Sequence, residues 1–232
     1  MHTCICEIHH RDIEPLIREG VATFPCIAVT GPRQSGRSTL LIHTLKGHKY
    51  VTLDDPVTRK QAISDPQLFL DTLGTKVIID EIQLAPQLLS YVKIRVDAAR
   101  SVKGQFVFTG SQQFSLIKNL GDSLAGRIGL FDLLPFSFDE MRKAAPRKTV
   151  SESFVHAALR GLYPEPVTDA AINAERWFGS YVQTYLERDV RSIYNIGNLR
   201  DFQRFMQLLA GRAGQLLNLS SFASDLGVRV ST

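Results

Sequence analysis

Cysteine is scarce, with three residues in 232, an odd number. Such a chain does not carry the disulfide framework of a small secreted domain, and reduced thiols suit a cytoplasmic protein. Cys4, Cys6, His9 and His10 lie close together, but their spacing matches no common structural zinc site and lacks a second half. Long apolar runs are also missing. The longest, such as Val77-Ile78-Ile79 and Phe106-Val107-Phe108, fall far below the roughly 20 residues of a membrane helix. The opening residues turn charged at Glu7, too soon for a secretory signal. No membrane span and a cytoplasmic location are therefore expected. One-sided charge is absent too. Scattered Lys and Arg number 27 against 23 Asp and Glu, a net +4, which permits nucleic-acid contact without specifying it. Repeats and low-complexity tracts are lacking, and 44% hydrophobic with 22% charged residues is globular usage.

What is present alternates. Apolar Ile13, Leu16 and Ile17 share one helix face before Gly20. Cys26-Ile27-Ala28-Val29-Thr30 follows as an apolar run of the sort buried on both faces of a parallel sheet. The pattern predicts a helix over 37–45, a strand over 49–53, helices over 56–63 and 66–73, and a strand over 76–80. A helix over 86–100 and strands over 105–109 and 128–133 complete it. This rhythm implies right-handed crossovers and a helix-covered parallel sheet, an α/β fold. After the turn-like Ala144-Ala145-Pro146-Arg147-Lys148-Thr149 only helices are predicted, over 151–160, 170–193, 199–212 and 220–226. The expected organisation is a leader helix in 1–20, an α/β core in 21–144 and a helical region in 145–232.

The sharpest motif is Gly31-Pro32-Arg33-Gln34-Ser35-Gly36-Arg37-Ser38-Thr39, set between a strand and a helix. Its two glycines and terminal hydroxyls fit a phosphate loop, whose inward backbone N–H groups and helix N-terminus surround phosphate oxygens. Ser38 is placed to ligate Mg²⁺. Arg37 stands where lysine is the rule, and its wide planar fork does not fill the space of an ammonium. The strand Val77-Ile78-Ile79 ends in Asp80-Glu81, about 45 residues later. That order places Asp80 beside a metal and Glu81 where it orients or deprotonates water. A third strand ends in Thr109-Gly110-Ser111, which parallel topology brings to the same edge as phosphate sensors or as a plain turn. Arg127, after Gly126 and before the last strand, is a candidate arginine finger toward a neighbouring subunit. Trp177, Phe178, Tyr181 and Tyr185 form a helical stripe read as packing.

Taken together, Gly31-Pro32-Arg33-Gln34, Leu53-Asp54-Asp55-Pro56, Asp80-Glu81-Ile82-Gln83, Thr109-Gly110-Ser111-Gln112, Ser123-Leu124-Ala125-Gly126-Arg127 and Leu134-Pro135-Phe136-Ser137 resemble a group of prokaryotic AAA-superfamily ATPases. The resemblance covers about residues 11–215. It implies a P-loop NTPase core binding ATP and Mg²⁺, with Ser38 and Asp80 at the metal. It further implies Glu81 as base, Thr109 or Ser111 as sensor and Arg127 as finger of a homo-oligomer. Such proteins mostly carry lysine at position 37 and continue through a winged-helix segment into a restriction-endonuclease-like region, through which a longer parent chain would meet DNA. Residues 219–228 read either as the opening of a helix-turn-helix or as a closing helix. As given, the chain stops before a recognition helix. Three functions stay open: an ATPase, a non-hydrolysing switch or DNA-tethering module disabled by Arg37, and a fragment without nucleotide affinity.

Overall fold

The computed structural model describes residues 9–110, 124–185 and 199–228. Helix α1 (Glu14–Thr23) leads into β1 (Cys26–Thr30), α2 (Arg37–Thr44), β2 (Lys49–Thr52), α3 (Pro56–Ser64), α4 (Pro66–Leu73) and β3 (Val77–Asp80). Then come a 3₁₀ turn at Ile82–Leu84, α5 (Leu88–Ala98), β4 (Phe106–Gly110) and β5 (Ile128–Asp132). The five strands form one sheet in the order β2-β3-β4-β1-β5, all neighbours parallel. The expected α/β architecture, a parallel sheet flanked by helices and followed by helical segments, is the one found.

Side-chain alternation explains the continuous apolar strands. Cys26, Ala28, Val77, Ile79, Phe106 and Phe108 face one core with Leu70, Leu88 and Val92 of α4 and α5. Ile27, Val29, Ile78 and Val107 face the other, against Ile17 of α1 and Leu40 and Leu41 of α2. With helices on both faces, neither set of alternating positions meets water, so no polar period appears. Helix starts follow local chemistry. Asp55 accepts from the N–H groups of Val57 and Thr58 to open α3, and Asp65 accepts from Leu68 to open α4.

Beyond the sheet lie α6 (Phe138–Ala144), α7 (Val150–Arg160), α8 (Pro164–Thr168) and α9 (Ala174–Tyr185). Phe136, Met141, Ala145 and Val167 form a small core of their own. The helix expected from residue 170 instead starts at Ala174. Asp169 accepts from Ala171 N, Asn173 accepts from Arg176 N, and the Arg160 guanidinium holds the carbonyls of Asp169 and Ile172. These bonds satisfy the backbone in a turn and leave Asn173 as the cap. The sequence pattern also missed α8, where Pro164 and Pro166 occupy first-turn positions whose N–H groups need no helical acceptor.

Backbone contacts divide the chain between Trp177 and Phe178, so α6, α7 and α8 group with the sheet rather than with the last helices. In the second unit, α10 (Leu199–Gly211) meets α11 (Leu219–Leu226). Phe205 stacks edge-on against Phe222 with ring centroids 5.8 Å apart, and the Arg212 guanidinium lies 4.5 Å from the Phe222 ring while pairing with Asp225. Asn218 caps α11, and Gly227 closes it in the left-handed conformation. Among the described residues no helix is long and apolar enough to cross a membrane.

Candidate functional site

All five strands run the same way, so their C-terminal ends share one edge. The strand order reverses beside β1, which sits between β4 and β5, and a crevice at that switch point is where such sheets take ligands. The Gly31–Thr39 loop rises there. Gly31 has φ +146°, and a Cβ on it would lie 2.1 Å from the Leu133 carbonyl oxygen, so only glycine lets the chain pass the end of β5. Gln34 and Gly36 are also left-handed, at φ 59° and 91°. Gly36 is the N-cap of α2, and among the described residues no side chain caps that helix. Its first N–H groups thus retain donor capacity and partial positive charge. Within the loop, the Ser35 N–H reaches Pro32 O at 3.4 Å. The Ser35 hydroxyl is buried without a hydrogen-bond partner among the described residues, whereas Gln34 and Thr39 are exposed.

The loop and the acidic pair meet directly. Ser38 Oγ donates to Asp80 Oδ2 at 2.8 Å, and Tyr50 Oη on β2 donates to the same oxygen at 2.6 Å. Asp80 Oδ1 accepts from the Glu81 N–H at 3.1 Å, which fixes the carboxylate at the end of β3. Burial, followed by the bond to Asp80, pushes the Tyr50 phenol well above its ordinary range. Glu81 is itself left-handed, at φ 56°. That conformation is uncommon for a residue with a side chain. It ends β3 sharply and turns the Glu81 carboxylate back toward the loop. One of its oxygens lies 3.6 Å from Arg37 Nη2, and the Gln83 amide donates to the other. Arg37 also donates to the Gly31 carbonyl. Its side chain is 7% exposed, against 14% for Glu81.

Thr109 lies in register with Val29 of β1. Continuing the β3–β4 register by one residue beyond Ile79–Phe108 brings it beside Asp80. It is fully buried, and its hydroxyl has no partner among the described residues. Ser111 falls outside the described residues. Arg127 does not join this cluster. It precedes β5 at the opposite edge of the sheet, where Nε and Nη2 grip Asp97 at 2.6 and 2.9 Å.

Two important groups escaped the sequence reading. Tyr50 gave no signal beyond its place in a short strand. Arg11, assigned simply to a leader helix, is buried beneath the loop. It bonds Ser35 O at 2.9 Å, Leu134 O at 2.7 Å and Glu140 Oε1 at 3.1 Å, with the Phe136 ring 5.0 Å away. The Ser137–Glu140 capping box, readable in Ser137-Phe138-Asp139-Glu140, fixes the partner carboxylate.

A phosphate-loop geometry closed on a strand-end carboxylate is now joined by a family match. Residues 23–142 match the family model described as AAA domain. The chain belongs to that AAA domain family. Residues 151–232 match a domain of unknown function. Uncharacterised proteins of Mycobacterium tuberculosis and Mycobacterium bovis are each 28% identical over 228 residues, covering 97% of this chain and 49% of theirs. The chain thus spans about half the length of the curated relatives it matches. Among solved structures, the Walker-type ATPase of Pyrococcus abyssi superimposes with a TM-score of 0.51 at 18% identity, covering 95% of this chain and 89% of that one. At that identity the likeness is one of fold.

Proposed function

We propose that this AAA-domain protein binds ATP with Mg²⁺ in the Gly31–Thr39 loop and hydrolyses it to drive conformational change. The observation that carries this is the 2.8 Å bond from Ser38 Oγ to Asp80 Oδ2, which joins the loop to the acidic pair. The residues fit the cation: a hydroxyl and a carboxylate are hard oxygen donors of the kind Mg²⁺ takes together with substrate phosphates. Ser38 and Asp80 would hold it, and the ion supplies charge neutralisation for the phosphate oxygens. Backbone N–H groups at the start of α2 bind the phosphates, with the Arg37 guanidinium beside them. Pro32, Arg33, Gln34, Ser35 and Gly36 shape the cradle, and Thr39 follows Ser38 into the helix.

Hydrolysis is an attack by water oxygen on the terminal phosphorus. The new P–O bond forms as the bond to the β–γ bridging oxygen breaks, Glu81 takes the water proton, and ADP and inorganic phosphate leave. Thr109, and Ser111 after it, serve as sensors of the terminal phosphate. Arg127 acts in trans, as the finger of a homo-oligomer, because within its own chain it stands at the far edge of the sheet. The choice of ATP over GTP and a cytoplasmic location complete the proposal. So do a functional boundary near residue 145 and contact with DNA through a winged-helix and nuclease-like continuation in a longer parent chain.

A second possibility, a nucleotide-binding switch that does not turn over, is favoured by one specific contact: the carboxylate assigned as base is paired with Arg37. Calorimetric titration with Mg-ATP and Mg-GTP, combined with steady-state phosphate release, tests both. Binding of Mg-ATP that Ser38→Ala and Asp80→Asn each weaken at least about tenfold is expected. Phosphate release abolished by Glu81→Gln establishes the hydrolase. Release absent from the native chain and restored by Arg37→Lys establishes the switch. No binding of either nucleotide overturns both.

A further inference from the structure

The geometry points to Arg37 as a latch on Glu81 that an incoming triphosphate opens, so that phosphate occupancy itself frees the base. This rests on the nucleotide-binding proposal and adds a role that a phosphate-loop lysine does not have.

Four observations converge on the latch. The Arg37 side chain is buried inside the loop it belongs to, donating to the carbonyl of the loop's first residue, Gly31. A second nitrogen of the same guanidinium lies 3.6 Å from Glu81 Oε1, while Gln83 occupies Oε2. Both oxygens of Glu81 therefore face a donor of the protein rather than an attacking water. Finally, Glu81 is presented from a left-handed backbone position immediately after Asp80, whose carboxylate bonds the Ser38 hydroxyl of the loop, so the base is held beside the phosphate cradle.

A guanidinium has several N–H donors in one rigid plane and can span a carbonyl and a carboxylate at once, whereas a lysine ammonium is a point charge on a narrower stem. The phosphate oxygens of a bound triphosphate carry more charge than one carboxylate and match the same planar fork. Transfer of Arg37 from Glu81 to phosphate would remove the guanidinium from Glu81 Oε1 while Gln83 stays on Oε2. Arg37 is thus a positioning residue: it acts on the chemistry through Glu81. Triphosphate affinity is reduced by the fraction of molecules in which the latch is closed.

The test is a four-protein cycle: the native chain, Glu81→Gln, Arg37→Lys and the double variant. A fluorescent non-hydrolysable ATP analogue with Mg²⁺ is titrated at equilibrium and mixed in stopped flow. With Arg37 present, Glu81→Gln should tighten binding about tenfold, within the usual range of coupling between two sites. The gain should appear in the association rate. In the Arg37→Lys background the same change should have less than about a twofold effect, whereas a general gain from removing one negative charge would appear equally in both backgrounds. Gln83→Ala, which loosens Glu81 without leaving a buried charge alone, should move affinity in the same direction by a smaller factor. It reports on the latch even if Glu81→Gln folds poorly. Equal effects of Glu81→Gln in the native and Arg37→Lys backgrounds, or a gain confined to dissociation, overturn the latch while leaving nucleotide binding intact. Absence of binding in every variant removes the nucleotide proposal and the latch with it.

Discussion

The two edges of the sheet use the same side-chain types in opposite ways. At the C-terminal edge Arg37 and Glu81 face each other at 7% and 14% exposure, and Arg11 and Glu140 at 6% each. At the N-terminal edge Arg127 and Asp97 pair at 20% and 39% exposure, beside a wet surface. An ion pair in water contributes little to stability, whereas a buried one must recover the hydration both ions lose. Packed hydrophobic residues serve a fold at least as well as a buried pair does. Concentrated buried polarity is therefore poor evidence of a stability device and good evidence of a site. The buried hydroxyls of Ser35 and Thr109, without partners among the described residues, belong to the same edge.

The largest expected effect breaks the C-terminal edge from beneath. Arg11→Met leaves Glu140 buried beside no guanidinium, and also frees the carbonyls of Ser35 and Leu134. Removing one partner of a buried pair costs roughly 3 to 5 kcal/mol, and a loss of that size is expected in urea denaturation. The double change Arg11→Met with Glu140→Met should recover a large part of it. If Arg11→Met unfolds at the native urea midpoint, the contrast between the edges fails.

How much of this was legible follows from which signals are local. The central strands β1, β3 and β4 were readable because every residue in them is buried, and burial on both faces makes their sequences continuously apolar. Gly31, Ser38 and Asp80 were readable because a tight backbone turn and a strand end dictate residue type at fixed spacing. The partner of Asp80 on β2, Tyr50, was not, because a single aromatic in a four-residue strand carries no pattern. Arg11 was hidden for a related reason: its partners lie 24 to 129 positions away in sequence, and no short-range rule links them. The start of α9 at Ala174 was misjudged because the competing turn depends on Arg160, a residue of another helix.

A smaller effect separates stability from chemistry at the N-terminal edge. Arg127→Ala removes the pair with Asp97, whose carboxyl the guanidinium holds below its ordinary range. Because Asp97 is exposed and Arg127 only partly buried, the melting temperature should barely move, and less still at high salt. Phosphate release, by contrast, should fall steeply if Arg127 serves a neighbouring subunit. Mixing Arg127→Ala with Ser38→Ala protein should then restore part of the activity, since each supplies what the other lacks. A large drop in melting temperature would move Arg127 into the same class as Arg11.

The smallest effect concerns His48, at the foot of β2. Its Nε2 lies 3.0 Å from the Gly104 carbonyl, and the groups around its pocket are Arg18, His43, Lys46 and Lys76, all basic. Burial first, then the charge of Lys76, lowers its pKa below the ordinary 6.5, although the Gly104 bond opposes the shift. The sign follows from proton counting. Below pH 6.5 the unfolded chain binds a proton at this position that the folded chain still refuses, so the unfolded state gains stability as pH falls. The His48 contribution is therefore complete above pH 6.5 and declines through the interval below it, levelling off once the folded imidazole also charges. His48→Gln keeps a donor for Gly104 and cannot titrate. Urea midpoints at pH 7.5 and 5.5 should show a smaller acid-induced loss in the variant than in the native chain. Equal losses would mean that the basic foot of the sheet is as well hydrated as the Arg127 pair, leaving buried charge confined to the edge that holds the phosphate loop.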